Sequence, residues 1–569
     1  MNIGRENAAE KTLLFTAILA TLIISPTFAY DPINLPKMLV ISTGAFALIP
    51  FLIISIQTIR VVSPIAFTLS AFLIFTFLLS MLTNDRSFSQ QFWGVWGRNT
   101  GFLTYFAFIT AFLVSITLAY RSDFILVRLA FERLSYAISI YTLMQAGGID
   151  PINWSQKQMV ATLGNLNFMS SFLGLATISC ASRLFHEKLS LTSKLHYLFF
   201  VTLNLYLMWI SGSIQGIGVF AAGLSFVVAF KIMSKTSLRN SIIWLIFAAG
   251  VGSILFLGTM GLGPLSPLKQ VTVIFRRDYW LAGWNMTLDN WLNGVGIDSY
   301  GDYYEQYRDL SAVTRTGPER VANTAHNIFL DVSSGSGLFA GLSFLAILVF
   351  VMIAILKTLK NSRMDNTFIA VSSMFMGFIV FCLISINQIG VGIWGFLFAG
   401  YVVGASSRLS SSTSESFKNS KSESQTGKKT PRFNSEWTLP AKLASLALGL
   451  IGFLIALPPN ITDAQMLSAI KKGDLVSMRN VVTEISSTSQ FTKKYMTLLL
   501  DKGLVAEAYE FAGEELKRDP RNDIALRVVA YNDKAPTEQR KAALLSLKQR
   551  DPQNLEFAKY LDELLAKLG

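Results

Sequence analysis

The chain of 569 residues contains three histidines, and one of them occurs in a setting suited to chemistry. His326 lies in the segment 323–330, where a long polar stretch leads into an apolar run. A neutral imidazole can accept a proton from a hydroxyl nucleophile, or orient that hydroxyl by hydrogen bonding. A structural histidine that caps a helix or binds a loop carbonyl is the alternative. His186 and His196 lie in a short polar loop, and we expect them to be solvated.

A second candidate group combines paired arginines with aromatic residues. Arg276 and Arg277 are followed by Asp278 and Trp280. Guanidinium groups form bidentate, charge-assisted hydrogen bonds with phosphate oxygens, and tryptophan rings offer flat faces for sugars. The pattern predicts a phosphate or pyrophosphate site. The alternative is that Trp280 anchors the segment at a membrane interface while Asp278 neutralises one of the arginines.

The segments around these residues have the composition of a membrane protein. The chain is 51% hydrophobic and 15% charged, with a mean hydropathy of +0.45, whereas a soluble protein carries roughly 25% charged residues. A spanning helix needs about 20 mostly apolar residues. The sequence therefore predicts an all-α, polytopic membrane protein in which residues 1–405 hold most of about thirteen spans. The predicted spans are 12–29, 38–57, 64–83, 102–120, 123–145, 160–182, 195–213, 216–233, 241–261, 337–356, 367–385, 388–405 and 441–457.

The distribution of positive charge predicts the orientation of these spans. Lysines and arginines cluster in alternate loops, which places the N-terminus in the cytoplasm. The net charge of +13 thus reflects membrane topology, and we expect no nucleic-acid partner. Two segments predicted to lie outside keep arginine against this bias. They are 84–101, which contains Arg98 among aromatics and glycines, and the large loop 262–325. Arg98 can add a further phosphate contact.

The remaining part of the chain divides into a linker and a helical region. Residues 406–440 are rich in Ser, Thr and Lys, which predicts a disordered cytoplasmic linker. The span 441–457 then carries residues 463–569 to the outer side. That region contains Asp519-Pro520-Arg521-Asn522 and Asp551-Pro552-Gln553-Asn554, 32 residues apart. The period predicts tetratricopeptide-like repeats that offer a surface to a partner protein. A plain helical bundle with two similar turns is the alternative.

Several kinds of chemistry find no support in the sequence. No His/Cys/Asp spacing is typical of a zinc site, and no Gly-x4-Gly-Lys-Ser/Thr motif predicts a nucleotide site. No acidic dyad stands out inside a span, as a proton-coupled transporter often shows. We therefore expect a transfer reaction driven by an activated lipid donor, with neither a metal nor a cofactor.

Five segments together resemble the superfamily of O-antigen ligases, O-antigen polymerases and bacterial O-linked oligosaccharyltransferases. Each motif is weak alone, but their order and spacing along residues 30–405 are fairly specific. The segments are 31–37, 97–105 with Gly-Arg-x-x-Gly, 162–168 with Gly-Asn-x-Asn, 276–280 with Gly-Val-Gly at 294–296, and 324–327 with Gly-Ser-Gly at 335–337.

The resemblance implies a membrane fold like that of type C glycosyltransferases, in the cytoplasmic membrane of a bacterium. The donor is then a glycan on undecaprenyl pyrophosphate, and the acceptor is a hydroxyl of a glycan, lipid or protein. Arg276 or Arg277 is expected to hold the pyrophosphate and His326 to activate or orient the acceptor, with inversion at the anomeric carbon. The substrate-binding residues implied are Arg98, Asn327, Trp280, Gln215 and Lys37.

One departure from the family pattern affects this assignment. Relatives often carry Ser-Arg before the span that begins here near Gly216, whereas this chain has Ser213-Ile214-Gln215. Gln215 or Arg98 is then expected to replace the missing arginine. Two other kinds of protein remain as alternatives, a transporter for lipid-linked sugars and a membrane scaffold for glycan assembly.

Overall fold

The structure is a computed structural model that describes residues 8–153, 158–359, 364–419 and 439–568. This part of the chain is helical and contains no β-strand, which confirms the predicted all-α class. The helices are α1 (Ala8–Leu22), α2 (Asn34–Val62), α3 (Pro64–Thr83), α4 (Phe88–Trp93), α5 (Phe102–Arg121), α6 (Leu126–Ala146), α7 (Leu166–His186), α8 (Leu191–Ile210), α9 (Ile214–Lys235), α10 (Leu238–Thr259), α11 (Val271–Asp289), α12 (Tyr300–Tyr307), α13 (Leu310–Thr316), α14 (Ile328–Ser336), α15 (Leu338–Leu359), α16 (Asn366–Ile384), α17 (Ile389–Asn419), α18 (Leu439–Lys472), α19 (Leu475–Thr483), α20 (Ser489–Asp501), α21 (Val505–Arg518), α22 (Asp523–Tyr531), α23 (Thr537–Arg550) and α24 (Leu555–Lys567).

Ten helices within these described ranges are long and apolar enough to cross a membrane, as expected for a polytopic membrane protein. They are α2, α3, α5, α7, α9, α10, α15, α16, α17 and α18. The other three predicted spans, near 12–29, 123–145 and 195–213, form helices α1, α6 and α8, which are not among the ten. A total of about thirteen spans therefore stays a prediction.

Helix α1 is shorter than the span predicted for it, because it ends at Leu22. Pro26 follows, and a proline lacks the backbone N–H and disfavours helical geometry in the residue before it. The chain turns at residues 26–28 before α2 begins at Asn34. The described part of α1 has 15 residues and is about 22 Å long, less than the ~30 Å of a hydrocarbon core.

Two helices continue past the boundaries expected for the linker and the last span. Helix α17 extends to Asn419 through the first part of the expected linker, and residues 420–438 of that linker lie outside the described residues. Helix α18 has 34 residues and a length of about 50 Å, which exceeds a bilayer core. The expected last span at 441–457 and the beginning of the C-terminal region at 463 therefore belong to one continuous helix.

Small residues allow the most closely packed helices of the bundle to touch. A Cβ on Gly452 of α18 would lie 2.7 Å from the carbonyl oxygen of Ser42 on α2. The Ser42 hydroxyl donates a hydrogen bond to the Gly452 carbonyl at 2.8 Å. On α17, a Cβ on Gly400 would lie 2.2 Å from the Phe112 carbonyl oxygen of α5. Close packing and interhelical hydrogen bonds of this kind drive helix association in lipid.

A buried network of four charged residues joins α6 to α7. Arg128 and Glu132 form an ion pair at 3.0 Å, as their i,i+4 spacing predicts. Glu132 also binds Arg183 at 2.8 Å, and Arg128 binds Glu187 at 2.9 Å. The two positive and two negative groups neutralise one another, which offsets the cost of their burial. We therefore assign this network a structural role.

The C-terminal region, from the end of α18 to α24, is a helical domain with its own apolar core. The repeated Asp-Pro-x-Asn motif builds the same turn twice. Asp519 and Asp551 directly follow α21 and α23. Asn522 and Asn554 cap the next helices by accepting a hydrogen bond from the backbone N–H three residues later. The motif therefore marks equivalent interhelical turns, and the tetratricopeptide identity stays a prediction.

Helices α11, α12 and α14, with the loops between them, form a separate aromatic cluster that positions both candidate segments. Tyr300, Tyr304 and Met286 are buried in its core. The segment 276–280 lies on α11, and the segment 323–327 lies between α13 and α14. One small apolar core therefore supports both segments.

Candidate functional site

His326 lies in a tight turn that precedes α14. Its φ of 53° is in the left-handed region, which is uncommon for residues other than glycine. The Asp331 carboxylate in the first turn of α14 accepts hydrogen bonds from the Thr324 hydroxyl at 2.7 Å and the Ala325 N–H at 2.8 Å. The His326 N–H donates to the Thr324 hydroxyl oxygen at 3.2 Å. These bonds hold the turn, and with it the imidazole, in one conformation.

The His326 ring stacks on Tyr279 of α11, with ring centroids 5.7 Å apart and planes inclined by 28°. Within the part of the chain that the structure describes, neither ring nitrogen makes a hydrogen bond. Burial, together with the positive charges of Arg276 and Arg98, lowers the pKa of His326 to about 4. The imidazole is therefore neutral near pH 7, and one of its nitrogens can accept a hydroxyl proton.

Arg276 lies one turn before Tyr279 on α11 and is only 8% exposed. Among the described residues, its guanidinium has no hydrogen-bond or ion-pair partner. Burial lowers the pKa of Arg276, as expected for a charge removed from water. A buried charge of this kind is costly unless it is paired. Free guanidinium donors beside a neutral imidazole are suited to an anionic ligand such as a phosphate.

Arg276 and Arg277 are neighbours in the sequence but differ in environment. Arg277 is exposed, because successive residues of a helix point in directions about 100° apart. Asp278 is buried and pairs with Arg315 at 2.6 Å. Among the described residues, Asp278 therefore forms its ion pair with Arg315 and not with Arg276 or Arg277.

Arg98 is brought to the same site, but its charge is already paired. It binds Asp298 at 2.6 Å and also donates to the carbonyl oxygen of Asn323, just before the His326 turn. Asp298 has a left-handed φ of 57° and accepts a second hydrogen bond, at 2.7 Å, from the N–H of Val95. Arg98 thus links the loop before α5 to the turn before α14.

Asn327, expected to bind substrate, has contacts that are structural. Its side-chain oxygen caps α14 by accepting from the Leu330 N–H at 3.2 Å. Its Nδ2 donates to the Leu383 carbonyl at 3.0 Å, which ties α14 to the end of α16. The amide therefore fixes the start of α14 directly after His326.

Trp280 keeps a free hydrogen-bond donor near the candidate site. Its ring stacks on Phe256 of α10, with centroids 6.2 Å apart. Its indole N–H is buried and has no partner among the described residues. Trp280 lies one turn after Arg276, and its contact with Phe256 ties this part of α11 to α10.

Lys37 has a structural role that the sequence did not indicate. It is fully buried, and its ammonium donates to the carbonyl oxygens of Ala20, Thr21 and Ile23 at 2.9, 2.7 and 3.1 Å. An ammonium has three N–H donors, so none remains for a ligand. Lys37 therefore caps the C-terminal end of α1, and the expectation that it binds substrate is corrected.

Gln215 is also engaged in helix packing. Its side-chain amide is buried in the first turn of α9 and donates to the Ser171 hydroxyl of α7 at 2.9 Å. Its side-chain oxygen has no hydrogen-bond partner among the described residues. The positive charges that act on His326 are those of Arg276 and Arg98, and the replacement of the family arginine by Gln215 or Arg98 stays a prediction.

Four residues that the sequence did not single out position the site. They are Tyr279, Asp298, Thr324 and Asp331. Asp298 follows Gly-Val-Gly-Ile, and Asp331 is an acid within an otherwise apolar stretch. A lone carboxylate in such surroundings is the signal that could have indicated a buried partner for Arg98 and for the turn that carries His326.

A small cavity large enough for a water molecule lies beside Asp331, the residue that holds the His326 turn. Its lining consists of Phe77, Arg98, Thr100, Tyr105, Ile297, Asp298, Asp331, Val332, Ser336, Ile386 and Asn387. Burial raises the pKa of Asp298, and raises that of Asp331 to about 6. Asp298, which binds Arg98, and Asp331, which holds the His326 turn, therefore line the same small cavity.

The chain matches no model of a known protein family, and no curated protein matches it. The proposed function therefore depends on the chemistry of the site and on the resemblance of the motifs.

Proposed function

We propose that this protein transfers a glycan from an undecaprenyl-pyrophosphate-linked donor to an acceptor hydroxyl. The observation that carries the proposal is the pair formed by Arg276 and His326. A buried guanidinium without a protein partner lies beside a neutral imidazole whose nitrogens are free among the described residues. A diphosphate leaving group provides the anionic partner that Arg276 does not have among the described residues. An acceptor hydroxyl provides the proton that a ring nitrogen of His326 can accept.

The reaction proposed is a single displacement at the anomeric carbon. The acceptor oxygen forms the new glycosidic bond while the bond from the anomeric carbon to the diphosphate oxygen breaks. The acceptor proton moves to a ring nitrogen of His326, and the diphosphate leaves with the bonding electrons. Arg276 stabilises the charge that develops on the leaving oxygen. Attack opposite the leaving group inverts the anomeric configuration, and no step requires a metal.

The exposed face of α11 supports a lipid-linked donor. Leu281, Trp284 and Leu288 are 40%, 42% and 51% exposed and follow Arg277 at helical spacing. At the end of this stripe, Trp291 packs against Phe339 of the candidate span α15, with ring centroids 5.9 Å apart. An apolar stripe that continues onto a lipid-facing helix suits a prenyl chain, while Arg276 on the neighbouring face receives its diphosphate.

The site is proposed to lie on the outer side of the cytoplasmic membrane of a bacterium. The bias of lysine and arginine toward the opposite loops supports this orientation. The C-terminal domain then lies on the outer side as well, since it contacts the segments that hold the site. Its exposed helices remain available to a protein partner.

The nature of the acceptor separates the members of the proposed class. A ligase, a polymerase and a protein O-oligosaccharyltransferase use the same kind of donor and differ in whether a lipid, a glycan or a protein provides the hydroxyl. The chemistry of Arg276 and His326 is common to all three, so the acceptor is an outcome of the test below.

The experiment is reconstitution of the purified protein in lipid with a defined undecaprenyl-pyrophosphate glycan and candidate acceptors. We expect the His326→Ala and Arg276→Ala variants to lose nearly all transfer. The His196→Gln variant, which changes a histidine packed on Tyr136 and Phe200, is the matched control and should remain active. Full activity of His326→Ala would remove the catalytic assignment. Movement of the donor across the bilayer without transfer would favour a transporter.

A further inference from the structure

Two buried ion pairs attach the C-terminal domain to the segments around the candidate site. Arg86, between α3 and α4, binds Asp519 at 2.8 Å, and Arg308, directly after α12, binds Asp551 at 2.7 Å. The two arginine side chains are 2% and 0% exposed. Asp519 and Asp551 are the equivalent residues of the repeated Asp-Pro-x-Asn motif. The same interhelical turn therefore serves twice as a docking contact, and we call these contacts the two docking pairs.

Arg86 of the first docking pair also contacts residues 296–302, which lead into α12. Besides Asp519, Arg86 binds Asp302 at 3.0 Å. The side-chain amide of Gln90 donates to the same Asp302 carboxylate at 2.6 Å and to the Ser299 hydroxyl at 3.1 Å. Arg86 also packs against Gly296, where a Cβ would lie 2.6 Å from its Cγ. Arg86 thus holds residues 296–302 against α4.

The segment held by Arg86 contains the partner of Arg98. Asp298 precedes Ser299 and binds Arg98 at 2.6 Å. Arg98 donates in turn to the Asn323 carbonyl, three residues before His326. An unbroken series of ion pairs, hydrogen bonds and adjacent residues therefore connects Asp519 of the C-terminal domain with the His326 turn.

The second docking pair leads to the other side of the site. Arg308 donates to the carbonyl oxygens of Pro318 at 2.9 Å and Arg320 at 3.2 Å, which closes the loop around α13. That loop carries Arg315, which binds Asp278 of α11 at 2.6 Å. Asp278 lies between Arg276 and Tyr279, so this route reaches the helix that holds the unpaired guanidinium and supports the imidazole.

We propose that the C-terminal domain is a clamp whose two docking pairs position the two halves of the candidate site relative to each other. The Asp519 contact holds the half with Arg98 and His326, and the Asp551 contact holds the half with Arg276 and Tyr279. Arg86 and Arg308 are positioning residues, because they act through other groups. Loss of Asp551 leaves the buried Arg308 without an ion-pair partner among the described residues, and loss of Asp519 leaves Arg86 with Asp302 alone, so the domain is more than a tethered appendage. The inference rests on the proposed function only for the effect on catalysis.

The test is hydrogen–deuterium exchange of the full chain in lipid nanodiscs, with the variants Asp519→Asn and Asp551→Asn. Asp519→Asn should raise exchange in residues 86–101 and 296–302 by about tenfold or more, and Asp551→Asn should do so in residues 309–320. The control is Asp562→Asn, which removes an exposed ion pair with Lys548 in the same domain and should leave both regions unchanged. Arg86→Lys keeps the charge and should restore most of the protection that Arg86→Ala loses.

Transfer activity supplies the second readout. Each Asp→Asn variant should lower kcat by about tenfold with little change in KM for the glycan donor, because the site is misaligned while its binding groups remain. Unchanged exchange near the site, loosening confined to α19–α24, loosening by only one variant, or wild-type kcat despite loosening would each overturn the clamp. If the wild-type protein transfers no glycan, the proposed function fails, while the exchange pattern still decides whether the clamp exists.

Discussion

The ring of Tyr279 stacks on the imidazole of His326, with the two ring centroids 5.7 Å apart. The hydroxyl of Tyr300 donates to the Tyr279 carbonyl oxygen at 2.7 Å and so ties this part of α11 to the aromatic core. Because Arg276 lies one turn away on the same helix, α11 sets the position of the guanidinium and of the surface on which the imidazole rests. Much of the proposed chemistry therefore depends on one helix that is not itself a candidate span.

Arg276 and Arg277 should respond differently to substitution. Arg276→Ala should lower kcat/KM for the lipid diphosphate donor by about 10²- to 10³-fold, the loss typical of one preorganised charge-stabilising group. Arg277→Ala should remain close to wild type, because Arg277 is exposed on another face of α11. Steady-state kinetics with the purified variants measures both. Equal losses for the two variants would contradict the assignment of the diphosphate to Arg276.

Replacement of Tyr279 should affect the site through the position of His326. A stacked aromatic pair contributes about 0.5–1.5 kcal/mol, so Tyr279→Ala should reduce kcat by roughly 2- to 12-fold. Tyr279→Phe keeps the ring and should retain most activity. The matched comparison of these two variants isolates the stacking contact. A loss for Tyr279→Phe as large as that for Tyr279→Ala would indicate that the Tyr279 hydroxyl, and not the stacked ring, accounts for the effect.

The low pKa of His326 predicts an unusual pH dependence. With a pKa of about 4 instead of the ordinary value near 6.5, the ring should stay neutral well below pH 6. Between about pH 6.5 and pH 4, the unfolded chain binds a proton at His326 that the folded chain does not. The contribution of His326 therefore lowers the free energy of unfolding as the pH falls through this range. NMR titration of labelled histidines, assigned with His326→Gln, measures the value directly. A pKa near 6.5 would contradict the buried, positively charged environment.

Lys37 should matter for stability and not for substrate binding. Lys37→Met removes three hydrogen bonds and leaves carbonyl groups at the end of α1 unsatisfied, at a cost of about 1–3 kcal/mol. The variant should therefore show a lower Tm in detergent, while its folded fraction keeps the wild-type KM for the glycan donor. A raised KM for the glycan donor at unchanged Tm would instead indicate that Lys37 binds substrate.

Local patterns in the sequence predicted much of the fold. Apolar runs of spanning length correspond to helices, because a segment without charges must satisfy its backbone hydrogen bonds internally in lipid. The spacing of Arg128 and Glu132 predicted their ion pair, since residues four apart are neighbours on a helix. The Asp-Pro-x-Asn repeat predicted two equivalent interhelical turns. The predicted spans 12–29 and 388–405 end at other residues than α1 and α17, which extend to Leu22 and Asn419, because hydropathy does not report where a helix ends.

The candidate site was predicted only in part. Residue type and setting identified His326 and Arg276, but the same reasoning treated Arg276 and Arg277 as equivalent. Lys37 satisfies the end of a neighbouring helix, and the pairing of Arg98 with Asp298 joins residues 200 apart in the chain. Neither contact can be predicted from the spacing of residues within a short segment.

The sequence by itself determined the helical class, the candidate spans and the residue types at the site, because hydropathy, helix periodicity and ionisation are properties of short segments. The tertiary structure decided which arginine lacks a partner, which ring supports His326, and that Asp519 and Asp551 meet Arg86 and Arg308. Those outcomes depend on packing between segments as far as 433 residues apart, where burial determines whether a charge is paired.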